Sequence, residues 1–420
     1  MNTELPGPAA PRGTLAILGA MFFIFGFVTW LNGPLISFVK LAFSLSDVGA
    51  FLVPMVFYLS YLVLALPSAA ILRRTGMKRG MALGLSVMAV GAVLFGQFAT
   101  MHWFPGTLVG LFIIGGGLAV LQTAANPYVV LAGPPESAAR RIAVMGICNK
   151  GAGMLAPIVF GLLVMQGVGD LAAEVAGTAP EARTPLLESF AQKVHGPYLA
   201  MAAILALLAL GVWRSPLPDL RAEEGGGGGG NWRDLLGFRH LWLGAVALFL
   251  YVGVEVMAGD AIGIYGEAFG LPFEQTAYFT SLTLGGMMLG YIVGLLLIPR
   301  VVSQERYLAL SALLGAAAVA GAWATQGYVS VGFVAALGFA NAMMWPAIFP
   351  LAIQGLGRHT GTGSAILVMA ISGGAVVPQM FALLKEVAHF QWVFLALMAP
   401  SYLFIWYFAV RGSRPVIRSA

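Results

Sequence analysis

Residues 241–265 have the sequence LWLGAVALFLYVGVEVMAGDAIGIY, an apolar run whose only charged side chains are Glu255 and Asp260. A helix of this length is long enough to cross about 30 Å of hydrocarbon. Similar runs recur along all 420 residues, of which 59% are hydrophobic and only 9% are charged. Because so little polar surface could not keep a soluble domain dissolved, we predict an all-α membrane protein.

Twelve segments are long and apolar enough to form transmembrane helices. The first half contains those at residues 15–39, 49–72, 80–100, 106–132, 142–168 and 196–214. The second half contains those at residues 241–265, 276–298, 307–325, 328–353, 361–384 and 390–410. Between them lie six consecutive glycines, Gly225–Gly230, which are typical of a flexible tether. We therefore predict an N-terminal bundle at 1–214, a glycine-rich linker at 215–240 and a C-terminal bundle at 241–420.

The two halves resemble each other in the fourth and fifth segments and in the tenth and eleventh. At an offset of 219 residues, Gln122 corresponds to Asn341. At the same offset, Asn126 corresponds to Trp345 and a proline follows both positions. Such an internal repeat predicts twelve transmembrane helices in two pseudo-symmetric six-helix bundles, with a substrate site between the bundles near the membrane midplane.

The basic residues are distributed unevenly between the predicted loops. Of the 22 Lys and Arg residues, 17 fall at the termini or in the alternate loops that share their side of the membrane. The positive-inside rule then places both termini and the linker in the cytoplasm. The net charge of +5 therefore reflects membrane orientation, and we predict no nucleic-acid partner.

Three charged residues lie deep within apolar segments, namely Lys150, Glu255 and Asp260. Charges within a membrane usually face a protein interior or a water-filled pathway, where they take part in transport. A spacing of five residues puts the two carboxylates about 140° apart on a regular helix, so they form a dyad only if the helix unwinds near Gly259. We assign them separate roles, with Glu255 binding sugar or ion and Asp260 lying nearer the outside. Lys150 is either a structural partner of one carboxylate or part of the coupling site.

Six amide side chains also lie within apolar segments, where an unpaired amide is costly. They are Asn32, Gln122, Asn126, Asn149, Asn341 and Gln379. One interpretation is hydrogen bonding between helices. The other is recognition of a neutral sugar, because amides offer donors and acceptors to hydroxyl groups while aromatic faces cover the apolar side of the ring. The candidate aromatic residues are Trp30, Tyr251 and Trp345.

The loop at residues 66–80, LPSAAILRRTGMKRG, resembles the signature gating loop of the major facilitator superfamily. The matching residues are Arg73, Arg74, Gly76, Lys78 and Arg79. Leu72 replaces the usual acidic residue, which argues against the salt-bridge latch that such loops form. The alternative interpretation of these residues is a basic anchor on the cytoplasmic side.

Five further stretches together resemble the fucose–galactose–glucose cation symporters of the same superfamily. They are FVTWLNGPLI (27–36), LQTAANPYVV (121–130), RIAVMGICNKGAG (141–153), YVGVEVMAGDAIGIYG (251–266) and WPAIFPLAIQGLG (345–357). The resemblance implies the major facilitator fold and uptake of a hexose by alternating access, with glucose/galactose and N-acetylglucosamine permeases the most similar. It also implies a monomeric protein of the bacterial inner membrane.

The sequence departs from the fucose-transporter pattern at three positions. Gly33 and Gln122 replace the two acidic residues that serve proton coupling and sugar binding, and Gly146 replaces a glutamine. The resemblance therefore implies no coupling through the first two positions, whereas Asn32 and Asn149 still match the sugar cavity.

If transport is driven by H⁺ or Na⁺, Glu255 and Asp260 are the remaining candidates, with Lys150 beside them. The alternatives are a sugar uniporter and a lipid or drug transporter of the same fold. We predict neither an enzyme nor a bound cofactor or metal, because the histidines fall in loops or at helix ends. These are His102, His195, His240, His359 and His389.

Overall fold

The computed structural model describes residues 13–131, 138–218, 232–356 and 359–414. These ranges are almost entirely helical and contain no β-strand. They include twelve helical stretches long and apolar enough to cross a membrane, as predicted, with six before and six after the central connection. The predicted bundle boundaries stay predictions, because the glycines at 225–230 lie outside the described residues.

The helices follow one another in the order of the predicted segments. In the first half they are α1 (Thr14–Trp30), α2 (Asn32–Ala42), α3 (Asp47–Ala50), α4 (Leu52–Thr75), α5 (Met77–Thr100), α6 (Phe104–Leu131), α7 (Ala138–Leu163), α8 (Val168–Gly177), α9 (Pro180–Gln192) and α10 (His195–Arg214). In the second half they are α11 (Arg239–Gly259), α12 (Ile262–Glu267), α13 (Phe273–Thr276), α14 (Phe279–Leu297), α15 (Gln304–Ala324), α16 (Gly327–Asn341), α17 (Met344–Ile353), α18 (Thr360–Met369), α19 (Gly373–Leu384) and α20 (Phe390–Tyr407). Short 3₁₀ turns occupy Trp232–Gly237 and Ala370–Ser372, and a π-helical turn ends the last span at Phe408–Gly412.

The run at 241–265 is not one continuous helix, which corrects the sequence prediction. Helix α11 ends at Gly259, and Asp260 lies in the break before α12. The hydroxyls of Thr283 and Thr280 donate to the carbonyls of Ala258 and Gly259, each at 2.7 Å. Hydrocarbon offers these carbonyls no partner, so the two threonines make the break possible.

The first span is also interrupted, at Leu31 between α1 and α2. Pro34 lacks an N–H group and therefore cannot donate to the carbonyl of Trp30, four residues earlier. The two interruptions meet across the halves, because Trp30 packs directly on Gly259 and Gly33 packs directly on Asp260.

The connector between the fifth and sixth spans, at residues 169–195, contains ordered helices. Helices α8 and α9 occupy most of it. Phe190 of α9 is almost completely buried, and its ring lies 5.0 Å from that of Phe38 in α2. Apolar anchoring of this kind holds the connector against the membrane domain.

The two halves contact each other along two pairs of spans. Helix α7 packs against α14, and α4 packs against α18 and α19. Helices α2 and α12 add a third contact. Because the number of spans is even, both ends of the described chain lie on one side of the membrane, and the α2–α12 contact lies on the opposite side.

Four charged residues join the halves on the side opposite the termini, and we call them the charge cluster. Lys40 Nζ lies 2.8 Å from Asp47 Oδ1 and 2.8 Å from Glu267 Oε2. Lys385 Nζ pairs with the other oxygen of Asp47. Ser37 donates to Glu267 at 2.9 Å. Since Lys40 and Asp47 belong to the first half and the other two to the second, the halves cannot separate here without breaking two ion pairs.

Replacing Lys385 with methionine removes one of these cross-half pairs but keeps the aliphatic stem. We expect this change to raise the labelling rate of a cysteine placed at Ser37 by about fivefold, which corresponds to about 1 kcal/mol. The measurement uses a water-soluble maleimide on a Cys148→Ser background, so that Ser37→Cys carries the sole thiol.

Lys193→Met is the matched control, because Lys193 bonds to the carbonyl of Gln166 within the first half. Equal labelling of the Lys385 and Lys193 variants would contradict a role of the charge cluster in holding the halves together.

Candidate functional site

A buried ion pair connects the halves near the middle of the membrane. Lys150 Nζ of α7 lies 2.9 Å from Glu255 Oε1 of α11, and the two side chains are 9% and 12% exposed. The sequence left Lys150 as either a structural partner of one carboxylate or part of the coupling site, and the structure pairs it with Glu255.

Trp30 positions the ammonium group of this pair. Lys150 Nζ lies 4.4 Å from the centre of the Trp30 ring, a favourable cation–π distance. Trp30 is 2% exposed, and glycines at positions 153 and 259 let α7 and α11 approach it closely. A Cβ atom at either glycine would overlap the indole. In this conformation the ring faces protein, so its predicted stacking on a sugar stays a prediction.

The helix unwinds beside Asp260, which a dyad of the two carboxylates would require. Asp260 nevertheless has a different environment from Glu255. The carboxylate is 1% exposed, and the hydroxyl of Tyr58 lies 3.4 Å from Oδ2. Among the described residues, Oδ1 has no hydrogen-bond partner and no cation pairs with this side chain. One carboxylate of the site is therefore neutralised by a lysine, and the other is not.

Four buried tyrosines surround the pair at distances that allow electrostatic interaction with Glu255. They are Tyr58, Tyr251, Tyr291 and Tyr402. Only Tyr251 was named from the sequence. A phenol within an apolar segment needs a polar partner, which is a usable signal. The other three come from α4, α14 and α20, however, and only the fold brings them together.

Two of the predicted sugar-binding amides bond within the first half. Gln122 Nε2 donates to the hydroxyl of Tyr61 at 2.6 Å. Asn149 Nδ2 donates to the carbonyl of Phe22 at 3.4 Å. These bonds fit the helix-to-helix interpretation, but each amide has further donor and acceptor capacity for a ligand. Asn149 directly precedes Lys150, so it is the amide placed nearest the ion pair along the chain.

The amide of Asn341 lies inside the second half, away from the first-half amides. It has no solvent exposure, and its Oδ1 accepts from the hydroxyl of Tyr402 at 2.8 Å. Trp345 is partly exposed and stacks on Phe349. The structure shows no hydrogen bond between Asn341 and Gln122 or Asn149 in its described part, so a sugar contact from Asn341 stays a prediction.

The remaining predicted amides occupy separate places. Asn126 is partly exposed on α6. Asn32 is 2% exposed, and its Nδ2 has no hydrogen-bond partner among the described residues. Gln379 donates to the carbonyl of Val48 at 3.3 Å, which joins the halves beside the charge cluster. The structure thus gathers Trp30, Lys150 and Glu255, with Asn149 next to Lys150 in the chain and Asp260 five residues after Glu255, and disperses the other amides.

The predicted gating loop forms the tight junction between α4 and α5. Gly76 has φ 79°, a left-handed conformation that favours glycine. Lys78 Nζ donates to the carbonyl of Ser215 at 2.7 Å, within the first half. Arg74 and Arg79 are exposed, and the Arg73 side chain lies outside the described residues. A gating function of this loop stays a prediction.

A recess of about 720 Å³ lies elsewhere, between α1, α7 and α10. Its lining is apolar and includes Leu15, Phe23, Met145, Cys148 and Leu208. A sugar site needs converging polar groups, so this recess is not a candidate for it. Within the described ranges, no three His, Cys, Asp or Glu side chains are grouped so as to hold a metal ion.

Comparisons with known proteins show the family and the fold of the chain. The family model described as Major Facilitator Superfamily matches residues 18–378. The chain is 31% identical over 417 residues to a glucose/galactose transporter of Brucella abortus, covering 99% of this chain and 97% of the relative. It is 29% identical over 382 residues to an L-fucose-proton symporter of Escherichia coli, covering 89% and 87%. The crystal structure of the transporter FucP in the outward conformation matches with a TM-score of 0.75 and 26% identity, covering 95% of this chain and 98% of that one.

Gly259→Ala tests the close packing of Trp30 on the end of α11. The added methyl group would overlap the indole, so we expect a loss of about 1–3 kcal/mol of stability, measured by thermal unfolding in detergent. Gly211→Ala in α10 is the matched control, since nothing lies within 4 Å of the new methyl group. We expect the control to be unchanged or more stable by up to about 1 kcal/mol. Equal destabilisation of both variants would contradict the packing argument.

Proposed function

The chain belongs to the major facilitator superfamily and to its fucose–galactose–glucose symporter family, and we propose that it takes up a hexose or a related sugar by cation-coupled alternating access. The observation that carries the proposal is the ion pair of Lys150 and Glu255, which joins the halves at the depth where such carriers bind substrate. The names of the relatives supply the substrate class, which is glucose, galactose or a similar sugar.

The side chains around the pair suit a neutral, hydroxyl-rich ligand. The phenols of Tyr58, Tyr251 and Tyr291 and the amide of Asn149 can each donate and accept hydrogen bonds. A lipid or a hydrophobic drug would leave their remaining donor and acceptor capacity unused, which is costly in a buried site. Their abundance therefore favours a sugar over the other transporter substrates.

We place both termini in the cytoplasm of a bacterial cell, with the protein in the inner membrane, on the basis of the basic loops. The charge cluster then lies on the outer side, and its ion pairs close the site to the outside. Opening outward requires these pairs to break while the halves approach each other on the cytoplasmic side. Because the proposed site lies between the two halves of one chain, a monomer suffices for transport.

Asp260 is the carboxylate that we assign to the transported cation. Its Oδ1 has no partner among the described residues, and burial of an uncompensated charge is strongly unfavourable. Binding of H⁺ or Na⁺ would remove this penalty and allow the site to close around the sugar. A uniporter is the competing hypothesis, because Gly33 and Gln122 stand where the fucose transporter carries acidic residues.

Counterflow of labelled sugars in proteoliposomes tests the substrate class. We expect internal glucose, galactose or N-acetylglucosamine to drive exchange of the same labelled sugar, because counterflow needs binding and alternating access but no ion gradient. Exchange of a lipid or an amphiphile, with none of any hexose, would contradict the proposal. Liposomes without protein provide the baseline.

Asp260→Asn tests coupling. We expect this variant to lose accumulation driven by a proton or sodium gradient and to keep counterflow, because the amide preserves shape but cannot bind the cation. Uptake of labelled sugar is measured with each gradient in turn. Asp170→Asn in the exposed connector is the control and should accumulate sugar normally. Unchanged accumulation by the Asp260 variant would contradict the assignment, and a wild-type protein that never accumulates sugar would be a uniporter.

A further inference from the structure

Lys150 is a buried cation that reaches across the interface between the halves. Its ammonium lies on α7 of the first half, and its partner Glu255 lies on α11 of the second. Each side chain is about nine-tenths buried. A buried ammonium or carboxylate without its partner is strongly destabilising, so each group depends on the other.

The position of the ammonium is fixed by more than the ion pair. The face of Trp30 lies 4.4 Å from Nζ, and the indole itself is held between α7 and α11. A lysine side chain has many rotamers in solution, but here its charged end contacts two largely buried groups, the Trp30 ring and the Glu255 carboxylate. The two contacts therefore hold the ammonium in a defined position within the site.

No second cation pairs with Glu255 in the part of the chain that the structure describes. Besides Lys150, the titratable groups that interact electrostatically with Glu255 include Tyr251 and Asp260 from its own span, Tyr58 from α4, Tyr291 from α14 and Tyr402 from α20. Among the described residues, Lys150 is the only cation paired with Glu255, and Asp260 has no paired cation.

We propose that Lys150 is the resident counter-ion of Glu255. It supplies within the protein the positive charge that Glu255 would otherwise take from a transported cation. Lys150, Glu255 and Asp260 together carry one net negative charge, so a single monovalent cation at Asp260 makes the sugar-loaded site neutral. This inference rests on the proposed function and deepens it, because it sets the ratio at one cation for each sugar.

If the ammonium of Lys150 is removed, Glu255 should need another positive charge to neutralise it. In Lys150→Met the carboxylate of Glu255 loses its partner and must be neutralised by a proton or another cation. In Lys150→Met/Glu255→Gln both charges are absent, so the extra requirement disappears. Asp260 is unchanged in both proteins, and the difference between them therefore reports on Glu255 alone.

The first measurement is thermal unfolding of the purified full-length proteins at neutral and at acid pH, which needs no substrate. At neutral pH we expect Lys150→Met to unfold about 5 °C or more below the double variant. On acidification the difference should shrink as Glu255 takes up a proton. Lys193→Met, a lysine in the connector, should follow the wild type throughout. A Lys150→Met protein that matches the double variant at neutral pH, or a difference that does not respond to pH, would overturn the proposal.

The possibility that Lys150→Met fails to fold is covered by the double variant. Recovery of folded protein when Glu255→Gln is added supports the counter-ion role, since it shows that the bare carboxylate caused the failure. If the double variant is as defective as the single one, Lys150 acts through packing and the proposal is wrong.

The second measurement is the dependence of hexose uptake on cation concentration. We expect first-order dependence for the wild type, second-order dependence for Lys150→Met and a return to first order in the double variant. Second-order dependence in the wild type would overturn the one-cation ratio. If no sugar is transported by any of the proteins, the proposed function fails, while the unfolding measurement still decides the role of Lys150.

Discussion

Hydrocarbon offers no hydrogen-bond partner to a charge, a carbonyl or an amide, and this constraint governs the interior of the protein. Lys150 and Glu255 satisfy it by pairing across the two halves at 2.9 Å. Trp30 adds to the pair, because its indole lies 4.4 Å from the ammonium and packs on glycines of both helices that carry the two charges. A single interaction therefore links the first, fifth and seventh spans at the centre of the molecule.

The same constraint accounts for the two interrupted spans. Where α11 stops at Gly259, threonines of α14 take over the freed carbonyls, each with a 2.7 Å hydrogen bond. Pro34 interrupts the first span at the same level, and the glycines at positions 33 and 259 allow the two breaks to touch. Asp260 lies at this contact, so the backbone irregularity and the uncompensated carboxylate occur together. In membrane carriers such discontinuous helices commonly form ion and substrate sites.

The site contains one carboxylate that is paired with a lysine and one that is not, and this difference is relevant to the mechanism. Glu255 is paired with a lysine, whereas Asp260 has no paired cation among the described residues, and on this difference we propose separate tasks for the two acids. On the side opposite the termini, the charge cluster closes the interface with ion pairs that are partly solvated and therefore weak enough to break. The Lys150–Glu255 pair, by contrast, is about nine-tenths buried, so breaking it costs more than breaking the pairs of the charge cluster.

The sequence by itself determined the membrane class, the twelve spans and the presence of Lys150, Glu255 and Asp260 within them, because hydropathy and length are local properties of a segment. It offered pairing of Lys150 with one of the acids as one of two interpretations. It did not show the helices of the connector, since α9 is anchored by a contact between Phe190 and the distant Phe38. Nor did it show that Asn341 bonds to Tyr402 or that three further tyrosines face Glu255. Only the tertiary structure decided that Lys150 meets Glu255, 105 residues away, because the choice depends on how helices of different halves cross and not on any pattern along one of them.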